Sequence, residues 1–396
     1  DHVHNSQPSP LPEYVTWVMQ MVSVGVKSRF TLAQSRSVLG FGHSDAKAQW
    51  TGAFQFVQMA DTQLGMMDSI NKAQYVRQLS GVLDTISFGY KLGCKYVPNV
   101  PYVNEPLGAV RGRLIEAEKA LARRAVTAIN AMVPRPVFAV VCGDLVHSYP
   151  GVQGFTLEQH MSEVAQYKEI LDAVHPDIAL VCTCGNHDIG DRPTAATIDN
   201  WRANFGDDYF SFWVGGVKFV CLNTQLYKGV TEENADLAAA QDAWLDEELS
   251  AAEGENARRV VVFSHIPPFV DSPDEAEGYF PLAKEVRHRL LQKMLAHGVT
   301  HWFCGHYHRN AGGVYCQPCD ESGGRQQAAA TLEVVTTAAV GANIGTEPSG
   351  DPLGLSGMLD VSADANLSGL RVVTVGDSTL THAFYTLKEL ESEGVE

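Results

Sequence analysis

Val137-Phe138-Ala139-Val140-Val141-Cys142-Gly143-Asp144 is an unbroken apolar run that stops on a glycine and a carboxylate. A stretch this continuously apolar and rich in valine predicts a strand buried on both faces, as in a sheet covered by other layers. The same pattern recurs along the chain. Phe54–Met59 leads into Asp61-Thr62-Gln63, run 178–183 into Gly185-Asn186-His187-Asp188, run 260–263 into Ser264-His265, and run 301–304 into Gly305-His306-Tyr307-His308. Each strand end delivers Asp, Asn or His. The carboxyl ends of parallel strands gather at one edge of a sheet, where ligands bind, so these groups are expected to converge.

Helical periodicity fills the intervals at 111–132, 159–174, 238–253 and 280–297. A hairpin is predicted at 209–223, turning at Gly215-Gly216, with later strands near Val334, Leu370 and His382. Alternating strands and helices predict α/β layers with a largely parallel sheet closed by short hairpin strands. Segments 89–106, 312–327 and 341–357 read as long loops. Residues 1–48, with Pro8, Pro10 and Pro12 ahead of an apolar stretch at 15–26, read as an N-terminal extension, helical or partly disordered, before one domain at 49–396.

A formal charge of -17, from 46 acidic and 29 basic residues, argues against nucleic-acid binding, which needs cations to displace counterions. No apolar run is long enough to span a membrane. The 15–26 stretch follows Glu13 instead of a basic cluster and makes a poor secretory signal. Eight cysteines do not form a disulfide framework here: Cys142, Cys221 and Cys304 lie in strand-like runs, and Cys316 and Cys319 read as a loop thiol pair. This balance favours a reducing compartment.

Carboxylate, amide oxygen and imidazole without thiolate suit hard or borderline divalent ions. A carboxylate such as Asp144 can bridge two of them, and a pair of ions can neutralise phosphate oxygens and activate water for in-line attack. His187 follows Asn186 directly and is placed to protonate a leaving oxygen. Asp188 is its catalytic partner or a capping residue. His147, Arg309 and Asn310 flank these motifs as candidate substrate contacts. Arg309 is a phosphate clamp or a salt-bridge partner for the acidic surface. Gln225 lines the pocket or pins a turn. Tyr209, Phe210, Phe212 and Trp213 divide between core and a substrate-facing wall.

The ordered set of 61–63, 143–147, 185–190, 265 and 305–313 resembles the calcineurin-like metallophosphoesterase superfamily. The stretches 206–216 and 222–225 extend the resemblance to a branch of serine/threonine protein phosphatases, over 48–396. It implies a β-sandwich flanked by helices, with metals at the carboxyl ends of strands. It implies two divalent ions, drawn from Mn, Fe, Zn or Mg. Asp61 and His308 would hold the first, Asn186, His265 and His306 the second, and Asp144 both, with His187 as general acid. Gln63 stands where most members carry His, and its neutral oxygen is the weaker ligand. The implied substrate is a phosphorylated protein in the cytoplasm. The rivals are a phosphodiesterase or small-molecule phosphatase on the same scaffold and, from another class, a non-catalytic scaffold protein.

Overall fold

Phe56 and Val57 are neighbours, both wholly buried, yet they enter different cores, because successive side chains of a strand point to opposite faces. The computed structural model describes residues 37–38, 50, 52–67, 107–148, 156–316, 330–344 and 361–393. In chain order the strands begin with β1 (Ser37–Val38), β2 (Phe54–Met59), β3 (Phe138–Cys142), β4 (Ala179–Thr183), β5 (Phe210–Val214), β6 (Val217–Cys221) and β7 (Arg259–Phe263). They continue with β8 (Val299–Cys304), β9 (Ala311–Cys316), β10 (Thr331–Thr336), β11 (Asn343–Ile344), β12 (Val361–Ser362), β13 (Gly369–Val375) and β14 (Leu380–Thr386). The helices are α1 (Leu107–Ala131), α2 (Leu157–Leu171), α3 (Asn186–Ile189), α4 (Ala195–Phe205), α5 (Gln225–Lys228), α6 (Ala235–Gly254), α7 (Lys284–Ala296) and α8 (Leu387–Glu393).

Two mixed sheets take the place of one largely parallel sheet. The first has the order β14-β13-β2-β3-β4, with β2, β3 and β4 parallel and β13 and β14 antiparallel at the edge. The second has the order β1-β5-β6-β7-β8-β10-β9, in which β6, β7, β8 and β10 run parallel and β5 and β9 pair antiparallel. Phe56, Phe138 and Val140 of the first sheet meet Phe219, Phe263 and Phe303 of the second in an aromatic layer. Phe56 stacks on Phe138 at 4.6 Å and meets Phe263 edge-on at 5.6 Å. The opposite faces are covered by helices: Val57, Ala139 and Val141 lie in one core with α1 and α2, and Val220, Val262 and Trp302 in another with α6 and α7. Three apolar layers thus bury both faces of each sheet, which is why the central strands lack polar alternation.

Some boundaries differ from the sequence reading. Helix α7 starts at Lys284, not 280, because Pro281 disfavours helical backbone at Phe280. Residues 311–316 form β9 instead of loop, paired along β10. Ser37–Val38 joins the second sheet beside β5, so this part of the extension contributes a strand. The rest of the segment before Trp50, the 89–106 loop, Cys319 and most of 341–357 lie outside the described residues. Tyr209, Phe210, Phe212 and Trp213 are all buried in the core, and none is left over for an exposed wall.

Candidate metal centre

The ligand-bearing turns begin where parallel strands stop. Asp61 follows β2, Asp144 follows β3, Asn186 opens α3 after β4, His265 follows β7, and His306 and His308 follow β8. Backbone bonds join these turns: Asp61 N donates to Gly143 O at 3.1 Å, Gln63 N to Asp144 O at 2.8 Å, and Gly305 N to His265 O at 3.0 Å. Close approach needs glycine at the seams. A Cβ on Gly185 would lie 2.1 Å from Asp144 Oδ1, and one on Gly305 would lie 2.7 Å from Asp61 Oδ2.

The backbone is strained at the ligands themselves. Among the described residues, six other than glycine have positive φ, and five of them are Asp61 (52°), Gln63 (39°), Asp144 (52°), His306 (70°) and His308 (56°). Left-handed backbone costs about 1–3 kcal/mol per residue and concentrates at functional sites, where the surrounding fold imposes it. Asp and His tolerate it better than most, so Gln63 is the most costly of the five.

The side chains form two overlapping groups. Asp144, His265 and His306 present ligand atoms within 4.8 Å of one another, and so do Asp61, Asp144 and His308. Asp144 belongs to both. His265 Nδ1 meets Cys142 O at 2.8 Å and His308 Nδ1 meets Ala342 O at 2.7 Å, which fixes each proton on Nδ1 and turns each Nε2 inward. His308 Nε2 lies 3.4 Å from Asp61 Oδ1. His265 Nε2 faces Asp144 Oδ1 at 3.3 Å, Asn186 Oδ1 at 3.0 Å and His306 Nδ1 at 3.1 Å.

Burial sets the titration of these groups first. It pushes Asp61 up to about 6 against the pull of His308 and His265, and it pushes Asp188 up to about 8 with the help of Asp144. Burial also opposes charge on Asp144, but His265 and His187 outweigh it and hold that carboxyl below the usual range. Burial disfavours a charged His265, yet Asp144 and Asp61 raise it to about 9. Burial, then His265, holds His306 well below the usual value, and burial lowers His187 against the attraction of Asp144.

These residues fit divalent cations. His265 Nε2 sits among a carboxylate oxygen, an amide oxygen and another imidazole nitrogen, and Asp144 and Asp61 favour a proton on it when no metal is bound. That crowd of acceptors calls for a positive charge at its centre. Among the described residues Gln63 Oε1 is buried with no hydrogen-bond partner, as an amide oxygen reserved for a metal would be.

The other expected residues divide. His187 donates Nδ1–H to His147 O at 2.8 Å, its Nε2 lies 4.0 Å from Asp144 Oδ2, and its ring stacks on His147 at 4.6 Å. Asp188 accepts from Leu145 N at 3.0 Å and Gly185 N at 2.7 Å, tying two ligand turns together. Gln225 is wholly buried. Its amide oxygen accepts from Asn186 N at 2.9 Å and its nitrogen donates to Cys184 O at 3.3 Å, so it pins the turn and does not line a pocket. Arg309 donates to Ile344 O at 3.1 Å and Tyr307 Oη at 3.2 Å, and Asn310 Oδ1 accepts from Arg371 Nη2 at 2.8 Å. Both brace the loop that carries His308. The aromatic wall comes from elsewhere: Tyr279 and Phe280, half-buried, set their rings 5.2 and 5.6 Å from His306. The Phe280-Pro281 pair was the available signal, since it marks non-helical chain. Asp191, at the rim, hydrogen-bonds the Asn186 side chain.

The family model described as calcineurin-like phosphoesterase matches residues 109–310. Serine/threonine-protein phosphatase CPPED1 of Mus musculus is 35 % identical over 367 residues, covering 93 % of this chain and 94 % of that protein. The Danio rerio protein of the same name is 34 % identical over 370 residues, covering 93 % and 96 %. Among solved structures, PhoD is 14 % identical with a TM-score of 0.48, covering 86 % of this chain and 70 % of its own. GAP50, the anchor in the inner membrane complex of Plasmodium, is 12 % identical with a TM-score of 0.47, covering 86 % of each chain. A match over 93 % of the chain is wider than the 48–396 resemblance and reaches into the first 48 residues.

Proposed function

This chain belongs to the calcineurin-like phosphoesterase family and is a metal-dependent phosphoesterase, and we propose that it hydrolyses phosphoserine or phosphothreonine in proteins at a centre of two divalent ions. The observation that carries the reading is the pair of ligand groups sharing Asp144. Asp61, Gln63 and His308 would hold one ion, Asn186, His265 and His306 the other, and Asp144 both. When bound, such ions neutralise phosphoryl oxygens and lower the pKa of water.

The chain's own groups do the rest. The His147 carbonyl holds His187 Nδ1–H, so Nε2 is the nitrogen turned toward the site. Burial keeps that ring neutral in the free enzyme. A phosphate dianion brings the negative charge that draws a proton to Nε2, which then passes to the leaving oxygen. Asp188 acts by position, with both carboxylate oxygens used by backbone amides. Tyr279 and Phe280 shield the His306 side of the site from water. The protein substrate is supported by the CPPED1 relatives, which are named as serine/threonine-protein phosphatases.

Turnover of a phosphoserine peptide, 4-nitrophenyl phosphate and bis(4-nitrophenyl) phosphate by manganese-reconstituted protein tests the substrate class. Monoesters are expected to exceed the diester. Preference for the diester would overturn the protein-phosphatase reading. Asp144→Ala and His187→Ala are expected to lose activity; variants indistinguishable from wild type would favour a non-catalytic scaffold.

A further inference from the structure

His187 is held by a turn that is itself held from outside the site. The carbonyl that takes its Nδ1–H belongs to His147, whose own N–H is shared between Leu64 O at 3.1 Å and a carboxylate of α2. Glu163 accepts from His147 N at 3.2 Å, Ser148 N at 2.9 Å, Ser148 Oγ at 2.6 Å and Gln159 Nε2 at 3.0 Å. The same helix grips the turn a second time, since His160 Nδ1 meets Ser148 O at 2.7 Å. Glu163 is 4 % exposed, and among the described residues it forms no ion pair with Lys or Arg. Burying a carboxylate without a countercharge is unfavourable unless hydrogen bonds replace its water. Here four donors replace it, and three of them belong to the turn that orients His187. An apolar residue on α2 would fill this space but would leave Ser148 N, which shares a peptide plane with the His147 carbonyl, without its acceptor, while His147 N would keep Leu64 O.

We infer that Glu163 is a positioning residue for proton donation by His187, acting through the His147 carbonyl. This rests on the reading of His187 as the proton donor. In that step His187 has taken a proton on Nε2 from solvent as the dianion binds, and an oxygen of water forms the new P–O bond while its proton returns to solvent. The seryl P–O bond breaks with its electron pair on the seryl oxygen, and the Nε2 proton of His187 moves to that oxygen. A misdirected ring slows this transfer only where the leaving oxygen needs a proton. A seryl alkoxide does, and a nitrophenolate does not.

The test uses full-length, manganese-reconstituted protein with a phosphoserine peptide and 4-nitrophenyl phosphate. Glu163→Gln is expected to lower kcat on the peptide at least about tenfold and on the nitrophenyl ester less than about threefold, with KM and metal content unchanged. His187→Ala is expected to show the same split more strongly, and the double variant to lose no more than His187→Ala alone. Equal loss on both substrates for Glu163→Gln, or additivity with His187→Ala, would overturn the inference while leaving His187 its role. A His187→Ala variant with no split would overturn both. Should Glu163→Gln fail to fold, Ser148→Ala removes the shortest of the four contacts and keeps the carboxylate. It is expected to give a smaller split in the same direction, and equal losses on both substrates would again overturn the inference.

Discussion

Asp144 is the residue on which both ligand groups turn, and Gly185 is what lets Asp144 sit there. An added Cβ would lie 2.1 Å from its Oδ1 and 2.3 Å from its backbone nitrogen, so one of the two turns must move. Displacement by an ångström at such a site costs roughly 10²-fold in rate, and Gly185→Ala is expected to lose at least that in kcat/KM, measured with the nitrophenyl ester. At Gln63, His would bring a stronger ligand and a side chain more at ease with φ of 39°. Gln63→His is expected to tighten one of two metal-binding events in calorimetry and leave the other unchanged. Two raised groups of the metal-free site titrate between pH 7 and 9, while Asp61, raised to about 6, is ionised in both states there. The stabilising contribution of Asp188 is complete below the unfolded carboxylate value and is lost as pH rises through about 8. That of His265 is complete below about 6.5 and is lost through about 9. His147, His187 and His306, all lowered, are neutral in both states above pH ~7 and add no slope. Burial lowers Lys168 to about 8, and its contribution rises above that value; the Tm of chelated protein is therefore expected to fall from pH 7 to 8, and saturating Mn²⁺ to reverse the trend, and a chelated Tm that rises over this window would contradict these assignments. The candidate ligands that the structure brings together are legible in the sequence because each is tied to the end of an apolar run. Sequence leaves Gln225 open between pocket and turn and reads Asn310 as a substrate contact, because their partners are amides and guanidinium groups far away in sequence, which no local pattern reveals.

The segment between β7 and α7 shows what an element without regular structure can do. Two cations shape it through its carbonyls. Arg287, wholly buried on α7, donates to Pro273 O, Glu275 O and Leu282 O, each at 3.0 Å, and Lys228 donates to Gly278 O at 2.8 Å and to Pro281 O. This strapping holds Tyr279 and Phe280 against His306 before any substrate arrives. Arg287→Met would strand three carbonyls, each at a cost of about 1–3 kcal/mol where water cannot reach it. The variant is expected to show a lower Tm and a higher KM for phosphopeptide with metal content retained; unchanged KM would remove the wall from substrate binding. Only Pro281 signals this in the sequence, because apolar periodicity otherwise runs through 280–297. Helix α2 carries the opposite lesson. Its apolar face was readable, whereas Glu163, at a buried position on that face, speaks only through its tertiary partners.

At the scale of the whole molecule, the site depends on two sheets keeping their register across an aromatic layer. Phe56 meets Phe138, Phe219, Phe263 and Phe303 with centroids 4.6 to 6.0 Å apart, so it touches strands of both sheets. Phe56→Ala is expected to cost about 3–5 kcal/mol in urea denaturation, and a loss under 1 kcal/mol would mean that the layers do not depend on this contact. Strand–helix alternation conveyed the α/β class and the edge at which ligands gather. The division into two sheets was not legible from periodicity, because strands covered on both faces look alike whether a helix or a second sheet covers them. In the proposed dinuclear site, the ends of β2, β3, β4, β7 and β8 meet around Asp144. Elemental analysis of reconstituted wild-type, His306→Ala and Asp144→Asn proteins tests it most directly. Two divalent ions per chain are expected in the wild type, about one in His306→Ala and fewer than one in Asp144→Asn. A wild type holding one ion, or an Asp144→Asn variant holding two, would contradict it.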